Sequence, residues 1–266
     1  MELVILGTGN AMATRVYNTC FALVQGDDFF LVDAGGGNGI FVQAQKAGLE
    51  WTRLAGMFVT HAHTDHILGV IWVIRKIAEL MKGGKRTAPL TIWCHDEVAK
   101  MLRDFTVQLL PGGLSKFLDH GIAIEVVEDG GAFSCMGMNF TAFDIGSTKA
   151  KQLGFAATLP DGKKLTCLGD EPYNPREESY ARGCDLLMCE AFCLYADAAR
   201  FKPYEKHHST ALDAGRLAQT LAVKRLLLYH TEDETIDTRT QRYGTEAREA
   251  FDGDVIVPMD LQRITI

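Results

Sequence analysis

Six residues concentrate the chemistry of this 266-residue chain: His61-Ala62-His63-Thr64-Asp65-His66. They follow Met57-Phe58-Val59, an apolar run of strand type, and precede Ile67 to Lys82, which is apolar at helical spacing and closes at Gly83-Gly84. The cluster is therefore expected on a tight loop where a buried strand meets a helix. Alternate residues of an extended segment point the same way, so His61 and His63 can offer imidazole nitrogens to one cation. Asp65 and His66, where the chain turns into the helix, can face a second. Nitrogen and oxygen donors of this mix suit zinc, with manganese or iron as alternatives. Two further donors stand at strand ends: Asp170 after Leu165-Thr166-Cys167-Leu168-Gly169, placed to bridge two metals, and His230 after Leu226-Leu227-Leu228-Tyr229.

The elements around these donors follow from local pattern. Glu2 to Leu6, Cys20 to Val24 and Phe29 to Val32 read as strands, and Ile40 to Ala47 as a short helix ended by Gly48. Further on come strands at Leu90–Cys94, Ile122–Val127 and Met138–Phe143, with a helix over 97–110. A hairpin at 154–168 turns on Pro160-Asp161-Gly162, a strong hairpin signal. Strands over 186–189, 225–229 and 255–257 alternate with helices over 211–221 and 240–251. With no repeat, low-complexity stretch or linker, residues 1–266 are expected to form a single domain of two sheets covered by helices.

Composition limits what such a chain can be. Apolar residues make up 47% and charged ones 23%, the balance of an ordinary globular protein. No apolar run reaches the length of a bilayer span and the mean hydropathy is near zero, which argues against a membrane protein. The N-terminus lacks a basic region and a cleavage site, so no signal peptide is expected. Seven cysteines, an odd number without framework spacing, suit a reducing cytoplasm and are expected as buried core thiols. A net charge of −7 weakens non-specific binding to nucleic acid.

At the level of these motifs the chain resembles the metallo-β-lactamase superfamily, and within it the ribonuclease Z-like branch. The resemblance rests on Leu6-Gly7-Thr8-Gly9, Val32-Asp33-Ala34-Gly35, the signature His61 to His66, Gly169-Asp170, Glu190-Ala191, His208-Ser209-Thr210 and His230 before Arg242-Tyr243. It implies an α/β fold, the four-layer αββα sandwich, with two divalent metals at one edge of the paired sheets. His61, His63 and Asp170 would hold the first metal; Asp65, His66, Asp170 and His230 would hold the second. It also implies that Asp65 orients the attacking hydroxide and that His208 protonates the leaving group. Glu190 either supports His208 or pairs with a lysine at its strand end. Homodimerisation is implied by the resemblance alone.

Two departures qualify it. The family places a histidine after the strand Met138–Phe143, where this chain reads Asp144-Ile145-Gly146-Ser147-Thr148-Lys149. By position Gly146 stands for it, so the first site is expected to be weak or empty. Water, Asp144 or His95 can fill the gap, or the protein holds one metal; His95 and His120 otherwise read as ordinary surface or loop histidines. The second departure is that too few residues precede Asp170 to form the arm that grips transfer-RNA precursors. The expectation is a phosphodiesterase that uses a metal-bound hydroxide on a small or short substrate, and long structured RNA is not the expected partner. A thioester or lactone hydrolase, or a decayed ligand-binding protein, are the rival readings. A di-iron redox protein would carry a carboxylate at Thr64. Gly35-Gly36-Gly37 reads as either a tight turn or a phosphate cradle.

Overall fold

A computed structural model describes residues 1–266. Two seven-stranded sheets organise the chain. The first contains β1 (Glu2–Gly7), β2 (Cys20–Gln25), β3 (Asp28–Val32), β4 (Leu54–Val59), β5 (Leu90–Cys94) and β6 (Ile122–Val126). The second contains β7 (Ala132–Cys135), β8 (Met138–Asp144), β9 (Leu153–Thr158), β10 (Lys164–Cys167), β11 (Leu186–Glu190), β12 (Arg225–Tyr229) and β13 (Asp254–Ile256). The last strand, β14 (Arg263–Thr265), returns to the first sheet beside β1. Each sheet begins as an antiparallel meander and continues as parallel strands, β3 to β6 in one and β10 to β13 in the other. Parallel strands need crossovers. Those of the first sheet are α1 (Gly39–Ala47), α2 (Thr64–Lys82), α3 (Asp96–Leu109) and the single turn α4 (Gly112–Ser115). Those of the second are the short α5 (Glu178–Ala181) and α6 (Ala198–Phe201), then α7 (Ala211–Thr220) and α8 (Ile236–Arg248).

Three cores separate the four layers. Between the sheets lie Phe21, Phe30 and Phe58 from one side and Phe140, Phe155 and Met188 from the other. The outer face of the first sheet packs on α1, α2 and α3, and that of the second on α7 and α8. This is the αββα sandwich. No helix is long and apolar enough to cross a membrane.

The element boundaries depart from the sequence pattern where burial rather than periodicity decides them. Helix α2 begins at Thr64, not Ile67, so Asp65 and His66 lie on its first turn. Their polarity hid them from an apolar pattern. Helix α8 begins at Ile236, four residues before the expected start, because Ile236 and the fully buried Arg239 dock inward. Strands β7 and β14 were not expected; they have four and three residues and pair only at sheet edges.

The start of α2 is fastened to the turn after β3. The Ala34 N–H donates to His66 O at 3.2 Å and the Gly69 N–H to Gly35 O at 2.8 Å. A Cβ on Gly69 would lie 1.9 Å from Ala34 O, so only glycine permits this approach. Gly69→Ala is expected to lower stability by about 2–3 kcal/mol in urea unfolding; an unchanged midpoint would show that α2 can slide away from the turn without cost.

Candidate metal centre

The donors arise just beyond the carboxyl ends of parallel strands: Asp33 after β3, the histidine cluster after β4, Asp170 after β10 and His230 after β12. Such strand ends are where α/β sheets place ligands. The two edges are stitched together as well: the Asn10 N–H donates to Thr231 O, and the Thr231 N–H to Thr8 O, each at 3.0 Å.

Three imidazoles are oriented from behind. Asp33 accepts hydrogen bonds from the Thr60 N–H at 2.9 Å, the Thr60 hydroxyl at 2.7 Å and His66 Nδ1 at 2.7 Å. Because the Thr60 hydroxyl donates to Asp33, it accepts from His61 Nδ1, 2.9 Å away. By the same logic the Thr19 hydroxyl donates to Gly9 O at 3.0 Å and accepts from His230 Nδ1 at 3.2 Å. All three rings therefore carry their outer proton on Nδ1 and turn Nε2 into the site, the arrangement that hydrogen-bond acceptors behind the ring impose on metal-binding histidines. Asp33 and His230 both occupy the left-handed backbone region, with φ of +54° and +58°, which non-glycine residues adopt uncommonly.

Asp170 sits at the centre. Its Oδ2 lies 3.5 Å from His61 Nε2, 3.4 Å from His66 Nε2 and 3.6 Å from His230 Nε2. The donors divide into two groups, His61 with His63 and Asp170, and Asp65 with His66 and His230, the atoms of each lying within 4.8 Å of one another. His61 Nε2 and His63 Nδ1 face each other at 2.8 Å. His66 Nε2 and Asp170 Oδ1 are buried with no hydrogen-bond partner, which costs about 1–3 kcal/mol for each such group unless something takes it up. The residues thus fit divalent cations. The charge balance agrees. Burial holds His61 well below the ordinary imidazole range and His230 down to about 4, keeping their nitrogens free to coordinate. Burial also opposes charge on His66, but Asp33, Asp170 and Asp65 outweigh it and its pKa lies well above the ordinary value. That surplus of carboxylate is what draws a cation.

Beside the second group stands His208. Its ring stacks on Phe192 at 4.9 Å and lies 5.3 Å from that of His230. Its Nδ1 is 3.5 Å from Glu190 Oε2. Glu190 is fully buried, and its carboxylate accepts from the N–H groups of Ser209 and, at 3.2 Å, Phe192. Burial raises its pKa, with His208 and Ser209 pulling the other way. Its hydrogen-bond partners are thus two amides, with His208 as the neighbouring base and no lysine. His207, by contrast, is exposed.

Several expectations are corrected. A Cβ on Gly146, at φ +73°, would meet Asn174 and Arg176 at 2.9 and 3.1 Å rather than any donor. The residue of this loop that lines the cavity is Lys149. Asp144 is spent within its own loop, where Oδ1 caps the Gly146 N–H at 2.7 Å. His95 is not a surface residue: it is fully buried at the end of β5 and belongs to neither donor group. The Gly35–Gly37 turn cradles the ring of Tyr17, whose hydroxyl reaches Ala34 O and Gly37 O, each at 2.9 Å. Six of the seven cysteines are buried and Cys135 is half-buried, as core thiols should be. Sequence reasoning missed the anchoring roles of Asp33, Thr60 and Thr19; the strand-end Asp33 was visible, but its partners are 27 and 33 residues away.

The cavity over these donors has a volume of about 610 Å³ and is also lined by Met12, Phe201 and Lys206. A family model described as a beta-lactamase superfamily domain matches residues 29–231. The ribonuclease Z of Phocaeicola vulgatus is 30% identical over 88% of this chain and 90% of its own length. That of Bradyrhizobium is 28% identical over 100% and 99%. Among solved structures, the metallo-beta-lactamase fold protein YhfI of Bacillus subtilis superposes with a TM-score of 0.77 at 17% identity, covering 99% of both chains. Human tRNase Z, short form, superposes at 0.76 and 20% identity, covering 100% of this chain and 99% of that one. The chain belongs to the metallo-β-lactamase superfamily, in its ribonuclease Z-like branch. It is accordingly a metal-dependent hydrolase of the phosphodiesterase type, and the carbonyl-ester and decayed-binder readings are not favoured.

Restoring the family histidine at Gly146 is expected to fail: Gly146→His should leave metal content per chain unchanged by mass spectrometry while lowering stability. A gain of metal would show that the loop can turn over to present residue 146.

Proposed function

We propose that this chain hydrolyses small or short phosphodiesters, with two zinc ions held by His61, His63 and Asp170 and by Asp65, His66, Asp170 and His230. The observation that carries the reading is the position of Asp170 Oδ2, 3.4–3.6 Å from three Nε2 atoms drawn from both sheets. Divalent metals bound there would lower the pKa of a coordinated water and withdraw charge from the phosphoryl oxygens. Asp65 would orient the attacking water towards phosphorus. His208, stacked on Phe192 at the cavity wall, delivers a proton to the leaving oxygen, and Glu190 holds the ring in place through Nδ1. Ligands from both sheets make residues 1–266 one working domain.

Two features support a small substrate. The cavity volume lies within the range that encloses single small ligands. The chain between β8 and Asp170 is taken up by a short loop and the β9–β10 hairpin, with a tip of plain turn residues. A cytoplasmic setting fits the seven free thiols. A homodimer fits the apolar strip Leu68, Ile71, Trp72 and Leu109, where α2 meets the end of α3.

Two equivalents of metal per chain with turnover of bis-p-nitrophenyl phosphate are expected; a fully loaded protein without turnover would overturn the reading. Asp65→Ala should cut kcat by about 100- to 10,000-fold with the unfolding curve of the metal-free protein little changed. The role of His208 has its own signature. His208→Ala should cost about 100-fold on a nucleoside ester with an alkoxide leaving group and little on a nitrophenyl ester, whose leaving group needs no proton. Equal losses on both would remove the proton-donor assignment.

A further inference from the structure

The cavity combines a surplus of acids with two lysines, and the partners of each differ. The outer acids are already engaged. Asp233 accepts the N–H groups of Thr14 and Arg15, both at 2.6 Å, Glu232 bonds Thr235 and Tyr243, and Glu234 pairs with Arg200. Lys149 and Lys206 are not engaged in this way. The nearest carboxylate to Lys149 is Glu171 Oε1 at 4.0 Å, beyond hydrogen-bond length, and Lys206 lies over the ring of Phe192 at 4.9 Å. The ammonium of Lys149 thus keeps its donors for something that enters the cavity.

The loop that carries Lys149 is built to present it. The Gly146 N–H is capped by Asp144, and the Lys149 N–H donates to Ser147 Oγ at 3.1 Å. Ser147 Oγ in turn donates to Glu171 Oε1 at 2.8 Å. Lys151, the loop's other nearby lysine, is held by Asp96, and the Leu153 N–H donates to Thr60 O at 3.0 Å, next to His61. Gly146 faces away towards Asn174 and Arg176, while Lys149 lines the cavity together with His63, Asp65, Asp170 and His230, donors of both groups. The loop therefore brings a cationic donor into the cavity over the donors.

We propose that Lys149 is a substrate-binding residue that donates to a non-bridging oxygen of the scissile phosphate. This rests on the phosphodiesterase reading of the same cavity and adds a direct anion contact from the protein. It also sets specificity: an anionic diester benefits from the contact and a neutral carboxylic ester does not.

The test uses metal-loaded protein and its Lys149→Met, Lys149→Arg and Lys206→Met variants. Calorimetry with inorganic phosphate should show Kd about tenfold weaker or more for Lys149→Met, largely restored in Lys149→Arg, with metal content by mass spectrometry unchanged. KM for bis-p-nitrophenyl phosphate should rise in parallel, while any turnover of p-nitrophenyl acetate stays as in the parent. Unchanged phosphate affinity in Lys149→Met overturns the proposal. So does an equal loss in Lys206→Met, which would mean a diffuse field rather than a contact, or a parallel loss of metal. If the loaded parent turns over no diester yet binds phosphate through Lys149, the catalytic reading fails and the anion contact stands.

Discussion

A carboxylate buried among three imidazoles holds this molecule's two halves to a common purpose. Asp170 comes from the second sheet, His61 and His66 from the first and His230 from the second again, so the group exists only where the sheet edges meet. Isolated, such groups would be costly to bury. Together they form a set of lone pairs and negative charge that divalent cations satisfy, and the metal-dependent chemistry of the family follows from that set. The tight docking of α2 on the turn after β3 serves it too, because that turn carries Asp33 and the first turn of α2 carries Asp65 and His66.

The ligands are positioned by a shell of uncharged and anionic partners, not by the metals alone. Thr60, Asp33 and Thr19 each accept a hydrogen bond from an Nδ1–H, and the outcome is three Nε2 atoms aimed inward. Sheet packing gives this shell its rigidity: the residues lie at strand ends beside a core of Phe21, Phe58 and Phe155, where a small shift would disturb close-packed rings. His208 is held differently, by stacking on Phe192 and by a carboxylate that burial keeps easily protonated.

Much of the site was legible in local order. His61, His63, Asp65 and His66 are adjacent because one strand-to-helix turn feeds both donor groups, so their spacing is itself the geometry. Asp170 and His230 were legible as strand-end residues and through the family resemblance, and their convergence depends on the registry of β10 beside β11 and β11 beside β12. In the loop after β8 the αL backbone sets Gly146 against Asn174 and Arg176, while Lys149 of the same loop lines the cavity, an arrangement that no local pattern encodes. His95 misled for a related reason, since a polar residue closing a strand looks exposed until the neighbouring loop covers it.

By itself the sequence determined the metal-binding turn, the alternation of strands and helices and the apolar faces that pack them, because these depend on residues close together in the chain. Tertiary structure alone decided which atoms of Asp33, Thr60 and Thr19 back the histidines, that Glu190 lies beside His208, and that Lys149 reaches the cavity. Those outcomes depend on contacts between segments far apart in the chain, whose distances no local pattern encodes.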